Sequence, residues 1–108
     1  MLSTYDKVKQ IIKFVEATYN PIKSKVVEVT ISDVRQYVVG FYFEEIPDKY
    51  ITNRLFRSVK ENKEENLTRE IRTYVKNYLD IYTTGLQPPD FFGPPEKHLI
   101  TIVVQTEK

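Results

Sequence analysis

Side chains that could carry acid, base or metal chemistry are few in this 108-residue chain and lie far apart. The single histidine, His98, has no serine, cysteine or carboxylate at a spacing that a catalytic signature uses. The pairs Glu44-Glu45 and Glu64-Glu65 cannot converge on one substrate, because adjacent side chains point to opposite faces of a strand and diverge by about 100° on a helix. Cysteine is absent, which excludes disulfides and thiolate ligands. The sequence therefore predicts a non-enzymatic protein without catalytic residues, metal site or cofactor.

Five basic side chains indicate one candidate binding chemistry. Arg69, Arg72 and Lys76 fall within about 60° of one another on one face of a predicted helix. Arg54 and Arg57 precede them in the chain. A strip of this kind binds the phosphates of nucleic acid, which makes a nucleic-acid-binding module the alternative function. The net charge is only +1, so such binding has to come from this local strip.

A second candidate is the aromatic pair Phe91 and Phe92, which stands in a segment with two prolines on each side. This segment can form neither a helix nor an inner strand. Two large aromatic side chains in a loop are unfavourable in water. They either fold back onto the core or anchor another subunit or protein, with prolines lowering the ordering cost in advance. The sequence leaves both interpretations open.

The elements that position these residues begin with a helix and a hairpin. Apolar residues recur at helical spacing up to Asn20-Pro21, which predicts a helix over residues 4–19. Apolar and polar residues then alternate, which predicts a β-hairpin over residues 25–45. The second strand of this hairpin is apolar on both faces, a pattern typical of a central or interface strand.

The second half of the chain is less regular. Residues 48–60 fit either a short helix or a third strand, and the charged run 60–66 indicates a solvated connection. An apolar stripe then predicts a helix over residues 67–83, capped by Asn66. Residues 98–106 are β-branched and apolar on both faces, which predicts a strand inside the sheet.

Together these elements predict one α+β domain over residues 1–108. The expected architecture is a two-layer sandwich, in which the hairpin and the C-terminal strand form a small antiparallel or mixed sheet and both helices pack on it. If both helices cover one face, the other face carries an apolar patch that monomers seldom expose, so either the third apolar segment (Ile51, Leu55, Val59) or a second copy covers it. The side chains of that patch are Val38, Tyr42, Leu99 and Val103.

The leading functional hypothesis is therefore a small interaction or assembly protein that acts as a homodimer or binds another protein. Its contacts would be the apolar patch or the Phe91 and Phe92 segment. No signal-peptide pattern and no apolar run of about 20 residues occurs, so we expect a cytoplasmic protein that does not bind membranes. The lack of Trp and Cys, with abundant Lys and Glu, is typical of thermophilic proteins.

Overall fold

The computed structural model describes residues 3–52, 58–85 and 97–105. Two helices and a four-stranded antiparallel sheet pack together, which confirms the predicted α+β class. The elements are, in chain order, α1 (Thr4–Tyr19), β1 (Lys23–Ile31), β2 (Val34–Phe43), a 3₁₀ turn (Asp48–Tyr50), α2 (Val59–Tyr74), a π-helical turn (Val75–Leu79), β3 (Thr84–Gly85) and β4 (His98–Gln105).

Helix α1 has the predicted bounds because both of its ends are capped. The Ser3 hydroxyl accepts a hydrogen bond from the Asp6 backbone N–H at 3.1 Å, and the Ser3 N–H donates to the Asp6 carboxylate at 3.4 Å. This reciprocal pair is a capping box. At the other end Asn20 adopts a left-handed conformation with φ 52°, and Pro21 prevents the helix from continuing.

Strands β1 and β2 form the predicted hairpin, over residues 23–43 rather than 25–45. They are joined by Ser32 and Asp33, which both have positive φ, at 52° and 65°. A two-residue turn with two positive φ values matches the twist of the flanking strands. The register consequently runs without interruption along the whole of β1.

The sheet has the strand order β1-β2-β4-β3, so the two apolar strands β2 and β4 occupy its centre as predicted. Both helices pack on the same face of this sheet, and their buried side chains join those of β2 and β4 in one core. The helical members are Val8, Ile11, Val15, Leu67, Ile71 and Val75, and the sheet members include Val39, Phe41, Ile100 and Ile102. The two-layer arrangement is thus built from alternate residues of the central strands.

Helix α2 begins at Val59, well before the predicted start at residue 67. The interpretation of residues 60–66 as a solvated connection is therefore wrong. Ser58 is the N-cap, since its hydroxyl accepts a hydrogen bond from the Glu61 N–H at 3.1 Å, and Asn66 lies inside the helix. The first two turns are polar because they contact the preceding segment of the same chain, at Tyr50 and Thr52, through hydrogen bonds rather than through apolar packing.

Before α2, the described part of residues 48–60, for which the sequence allowed a helix or a strand, contains a short 3₁₀ helix and no strand. Residues 48–50 form a single 3₁₀ turn, and residues 53–57 lie outside the described residues. At its other end α2 passes into a π-helical turn that stops at Leu79, short of the predicted residue 83. Asp80, with φ 56°, ends that turn, and the short strand β3 follows.

Candidate interaction surfaces

The outer edge of β1 is the longest open sheet edge in the described part of the chain. Its nine residues pair with β2 on one side, and no described strand pairs with the other side. The strand at the opposite edge of the sheet, β3, has only two residues. An open edge presents a row of backbone N–H and C=O groups, which is a template for pairing with another chain.

The hairpin turn determines which backbone groups of β1 face outwards. In a β-turn the first carbonyl accepts a hydrogen bond from the fourth residue's N–H, so Ile31 and Val34 form a hydrogen-bonded pair. Hydrogen-bonded and non-hydrogen-bonded pairs alternate along an antiparallel ladder. The odd-numbered residues of β1 therefore bond to β2. The residues that direct N–H and C=O groups outwards are Ser24, Val26, Glu28 and Thr30.

The sheet face opposite the helices carries the apolar side chains that the sequence placed there. Val38, Leu99 and Val103 form a second cluster with the half-buried Val27, Val29 and Tyr42. However, Val38 and Leu99 are each 2% exposed and Val103 is 4% exposed within the single chain. Of the two alternatives for this face, these three side chains are therefore covered within one copy rather than left open for a second one. Their role in binding a partner, and that of Tyr42, stays a prediction that this burial does not support.

A polar row on α2 holds the 3₁₀ segment against the helix. Asn62 is buried, and its side-chain oxygen accepts from the Thr52 N–H at 2.7 Å while its amide donates to the Thr52 hydroxyl at 3.1 Å. One turn later the Asn66 amide donates to the Tyr50 carbonyl at 2.6 Å. Glu70 occupies the next position of the row, since residues four apart share one face of a helix. The row explains why the start of α2 is polar.

Glu70 joins three elements through two tyrosine hydroxyls, and we call Tyr19, Tyr50 and Glu70 the tyrosine–carboxylate cluster. Tyr19, the last residue of α1, donates to Glu70 Oε2 at 2.9 Å, and Tyr50 donates to the same oxygen at 2.5 Å. Burial, followed by the hydrogen bond to Glu70, raises the pKa of Tyr19 and of Tyr50 well above the ordinary tyrosine value. Both tyrosines therefore stay neutral and donate to one carboxylate, which holds α1 and the 3₁₀ turn against α2.

The single histidine lies against a carboxylate that sequence spacing did not reveal. His98 Nδ1 lies 2.9 Å from Glu64 Oε2, and both side chains are mostly buried. The contact links the start of β4 to α2 across 34 positions of the chain. The contact therefore fixes the first residue of β4 against α2.

The predicted basic strip is not assembled as the helical angles indicated. Arg69 pairs with Glu65, its Nη2 lying 3.8 Å from Oε1, and Lys76 pairs with Asp80. Arg72 does not share their outward direction, because its Nη2 donates to the Thr83 carbonyl at 3.0 Å. The reason is that β3 returns beside α2 and draws the guanidinium towards the sheet edge. Nucleic-acid binding by these residues stays a prediction.

Four further predicted site residues cannot be placed relative to these surfaces. Phe91 and Phe92 lie outside the described residues, as do Arg54 and Arg57. Among the residues that are described, no three histidine, aspartate or glutamate side chains come together as a metal site would require. Nor does any helix in the described ranges have the length and apolar character needed to cross a membrane.

We compared the chain with known protein families, curated proteins and solved structures. No protein-family model, no curated protein and no solved structure matches the chain.

Proposed function

We propose that this chain is a small non-enzymatic assembly protein that forms a homodimer by pairing the outer edge of β1 with the same edge of a second copy. The observation that carries the proposal is the nine-residue edge, which among the described strands is bonded on one side only. Pairing it with a second copy would join two four-stranded sheets into one of eight strands.

The sequence of β1 lacks most of the features that block edge pairing. Natural edges are blunted by proline, by bulges, by short length or by charged side chains. β1 has no proline and an uninterrupted register. Two of its charges are engaged by β2, since Glu28 Oε1 lies 2.7 Å from Arg35 Nε and Lys23 Nζ lies 4.7 Å from the centre of the Tyr42 ring. The third charge, Lys25, is exposed, and the apolar side chains in the middle of the edge are the half-buried Val26, Val27 and Val29.

A two-fold axis at Val27 gives the most favourable register. In an edge-to-edge dimer the axis stands perpendicular to the sheet, so both copies present the same face and each contact occurs twice. With Val27 on the axis, Ser24 faces Thr30 of the partner subunit and Val26 faces Glu28 of the partner subunit. All four outward-directed residues of each copy then find backbone partners. A shift that placed Glu28 opposite Glu28 of the partner subunit would bring like charges together.

The test compares Glu28→Pro with Glu28→Thr by light scattering over a wide range of protein concentration. Proline removes an outward N–H without removing a bond to β2, whereas threonine loses the same ion pair to Arg35 and keeps the N–H. We expect a dimer for the parent chain and for Glu28→Thr, and a monomer for Glu28→Pro. Circular dichroism checks that all three are folded.

Two results would overturn the proposal. One is a parent chain that stays monomeric at the highest concentration, and the other is a Glu28→Pro dimer as stable as that of Glu28→Thr. A parallel series with a short oligonucleotide at low and high salt tests the alternative function. A gain of mass that occurs only at low salt and only with the oligonucleotide would favour nucleic-acid binding instead.

A further inference from the structure

Two buried polar atoms beside β3 have no hydrogen-bond partner. They are Arg72 Nε and Thr83 Oγ1, and Thr83 is only 4% exposed. The two residues are adjacent, because Arg72 Nη2 donates to the Thr83 backbone carbonyl at 3.0 Å. Buried polar groups in native proteins are almost always satisfied, so two neighbouring exceptions call for an explanation.

The guanidinium of Arg72 also has no counter-charge in the described part of the chain. The nearest basic residues on either side of it are each paired with an acid, Arg69 of α2 with Glu65 and Lys76 of the π-helical turn with Asp80. No carboxylate of the described residues lies within ion-pairing distance of Arg72. A partly buried charge without a partner is unfavourable, and the usual solution is an anion that supplies both charge and hydrogen-bond acceptors.

Gly85 lies beside this guanidinium. A Cβ placed on Gly85 would lie 3.5 Å from Arg72 Nη1 and 3.9 Å from Thr68 Cγ2. The Thr68 hydroxyl donates to the Glu64 carbonyl at 2.7 Å, so the threonine presents its methyl group to Gly85. A glycine here therefore leaves vacant only the space that a Cβ would fill, beside Arg72 Nη1.

We propose that Arg72 and Thr83 bind an oxyanion, either a phosphate or a carboxylate group. One oxygen of the anion accepts from Arg72 Nε and from the Thr83 hydroxyl, which satisfies both buried groups at once. Arginine suits this role because its guanidinium is always charged and presents several donors in a fixed plane. The site is at the opposite edge of the sheet from β1, so it does not depend on dimerisation.

The test is thermal unfolding in inorganic phosphate and in acetate, each compared with chloride at equal ionic strength. A ligand that binds only the folded chain raises the melting temperature with its concentration. The variant is Arg72→Met, which keeps the length of the side chain and removes its charge and donors. Arg69→Met is the matched control, because it removes one positive charge one turn earlier on the exposed side of the same helix.

We expect phosphate or acetate to raise the melting temperature of the parent chain and of Arg69→Met, and to raise that of Arg72→Met clearly less, because phosphate also stabilises folded proteins without binding to a site. The anion whose effect depends on Arg72 identifies the ligand as phosphate or carboxylate. Thr83→Val, which removes the hydroxyl at nearly constant volume, should fold and weaken anion binding about tenfold, since one hydrogen bond to a charged group is lost.

The proposal is overturned if neither anion acts beyond chloride on the parent chain. The two polar atoms would then be satisfied by a buried water. It is equally overturned if Arg72→Met and Thr83→Val respond to the anion as strongly as the parent chain does.

Discussion

Removing the Tyr50 hydroxyl should lower the free energy of unfolding by about 2 kcal/mol, because a hydrogen bond to a charged group contributes about 1.5–3 kcal/mol. Tyr50 is 7% exposed, and its hydroxyl donates to Glu70 at 2.5 Å, so little water competes for the carboxylate on that side. Tyr19→Phe should have a smaller effect, about 1 kcal/mol, since Tyr19 is more exposed than Tyr50.

The double variant tests whether the two hydroxyls act on one carboxylate. After either single change Glu70 keeps one donor, but after both it is partly buried without a tyrosine donor. The combined loss should therefore exceed the sum of the single losses by about 0.5–1 kcal/mol. Tyr74→Phe is the matched control. Tyr74 lies one turn from Glu70, and its hydroxyl makes no hydrogen bond to any described residue, so we expect a change within about 0.5 kcal/mol.

Urea unfolding followed by far-ultraviolet circular dichroism measures these differences without using tyrosine emission as the signal. A loss of 1 kcal/mol corresponds to about 4 °C in melting temperature for a chain of this size. The reasoning would be refuted if Tyr50→Phe and Tyr74→Phe were equally stable, or if the Tyr19 and Tyr50 changes were strictly additive.

Alkaline pH provides an independent check on the same cluster. The pKa values of Tyr19 and Tyr50 are raised in the folded chain, mainly by burial and then by the bond to Glu70. Above about pH 10 the unfolded chain loses these protons while the folded chain keeps them, so stability falls as pH rises. Below that pH the contribution is fully present. The Tyr50→Phe chain should lose less stability between pH 9 and 11 (about one unit either side of the ordinary tyrosine pKa) than the parent chain does.

Two further predictions concern the cap of α2 and the second apolar cluster. Ser58→Ala should lower the free energy of unfolding by about 1 kcal/mol, because the Glu61 N–H loses its acceptor, and Ser58→Asp should restore it when measured by urea unfolding. Leu99→Ala should destabilise the single chain by about 3 kcal/mol without changing its oligomeric state, since the side chain is buried within one copy. If light scattering instead showed a change of oligomeric state with little loss of stability, Leu99 would be part of a partner interface.

Periodicity predicted α1, the hairpin and β4 well because these elements bury alternate or helically spaced apolar residues against one core. The predicted position of Val38 on the sheet face opposite the helices is confirmed, while Val39 and Phe41 of the same strand face the helices. Periodicity could not predict the start of α2, because its first turns bury an amide rather than an apolar side chain. The cap Ser58 with Glu61 three positions later was the signal available in the sequence.

Contacts between residues distant in sequence account for the other differences. The helical angle of Arg72 indicates only where its side chain leaves the helix, and the turn towards Thr83 depends on where β3 returns. In the same way Glu64 and His98 are brought together by packing of β4 against α2. Hydrogen bonds of this kind carry no periodic signal, so no local pattern reveals them.

The strand order has a consequence for how the chain folds. β1 and β2 are joined by a two-residue turn and can pair within about 1–10 μs. The pairing of β2 with β4, for example of Val39 with Ile102, joins residues far apart in the chain and forms later. The entropy of closing the long loop between these two strands is lost before their contacts form, which makes the pairing slow. Chains dominated by such pairings fold in about milliseconds to seconds. During that interval the inner edge of β2 is bare, so the central strand of the finished sheet is the last to be protected from other nascent chains.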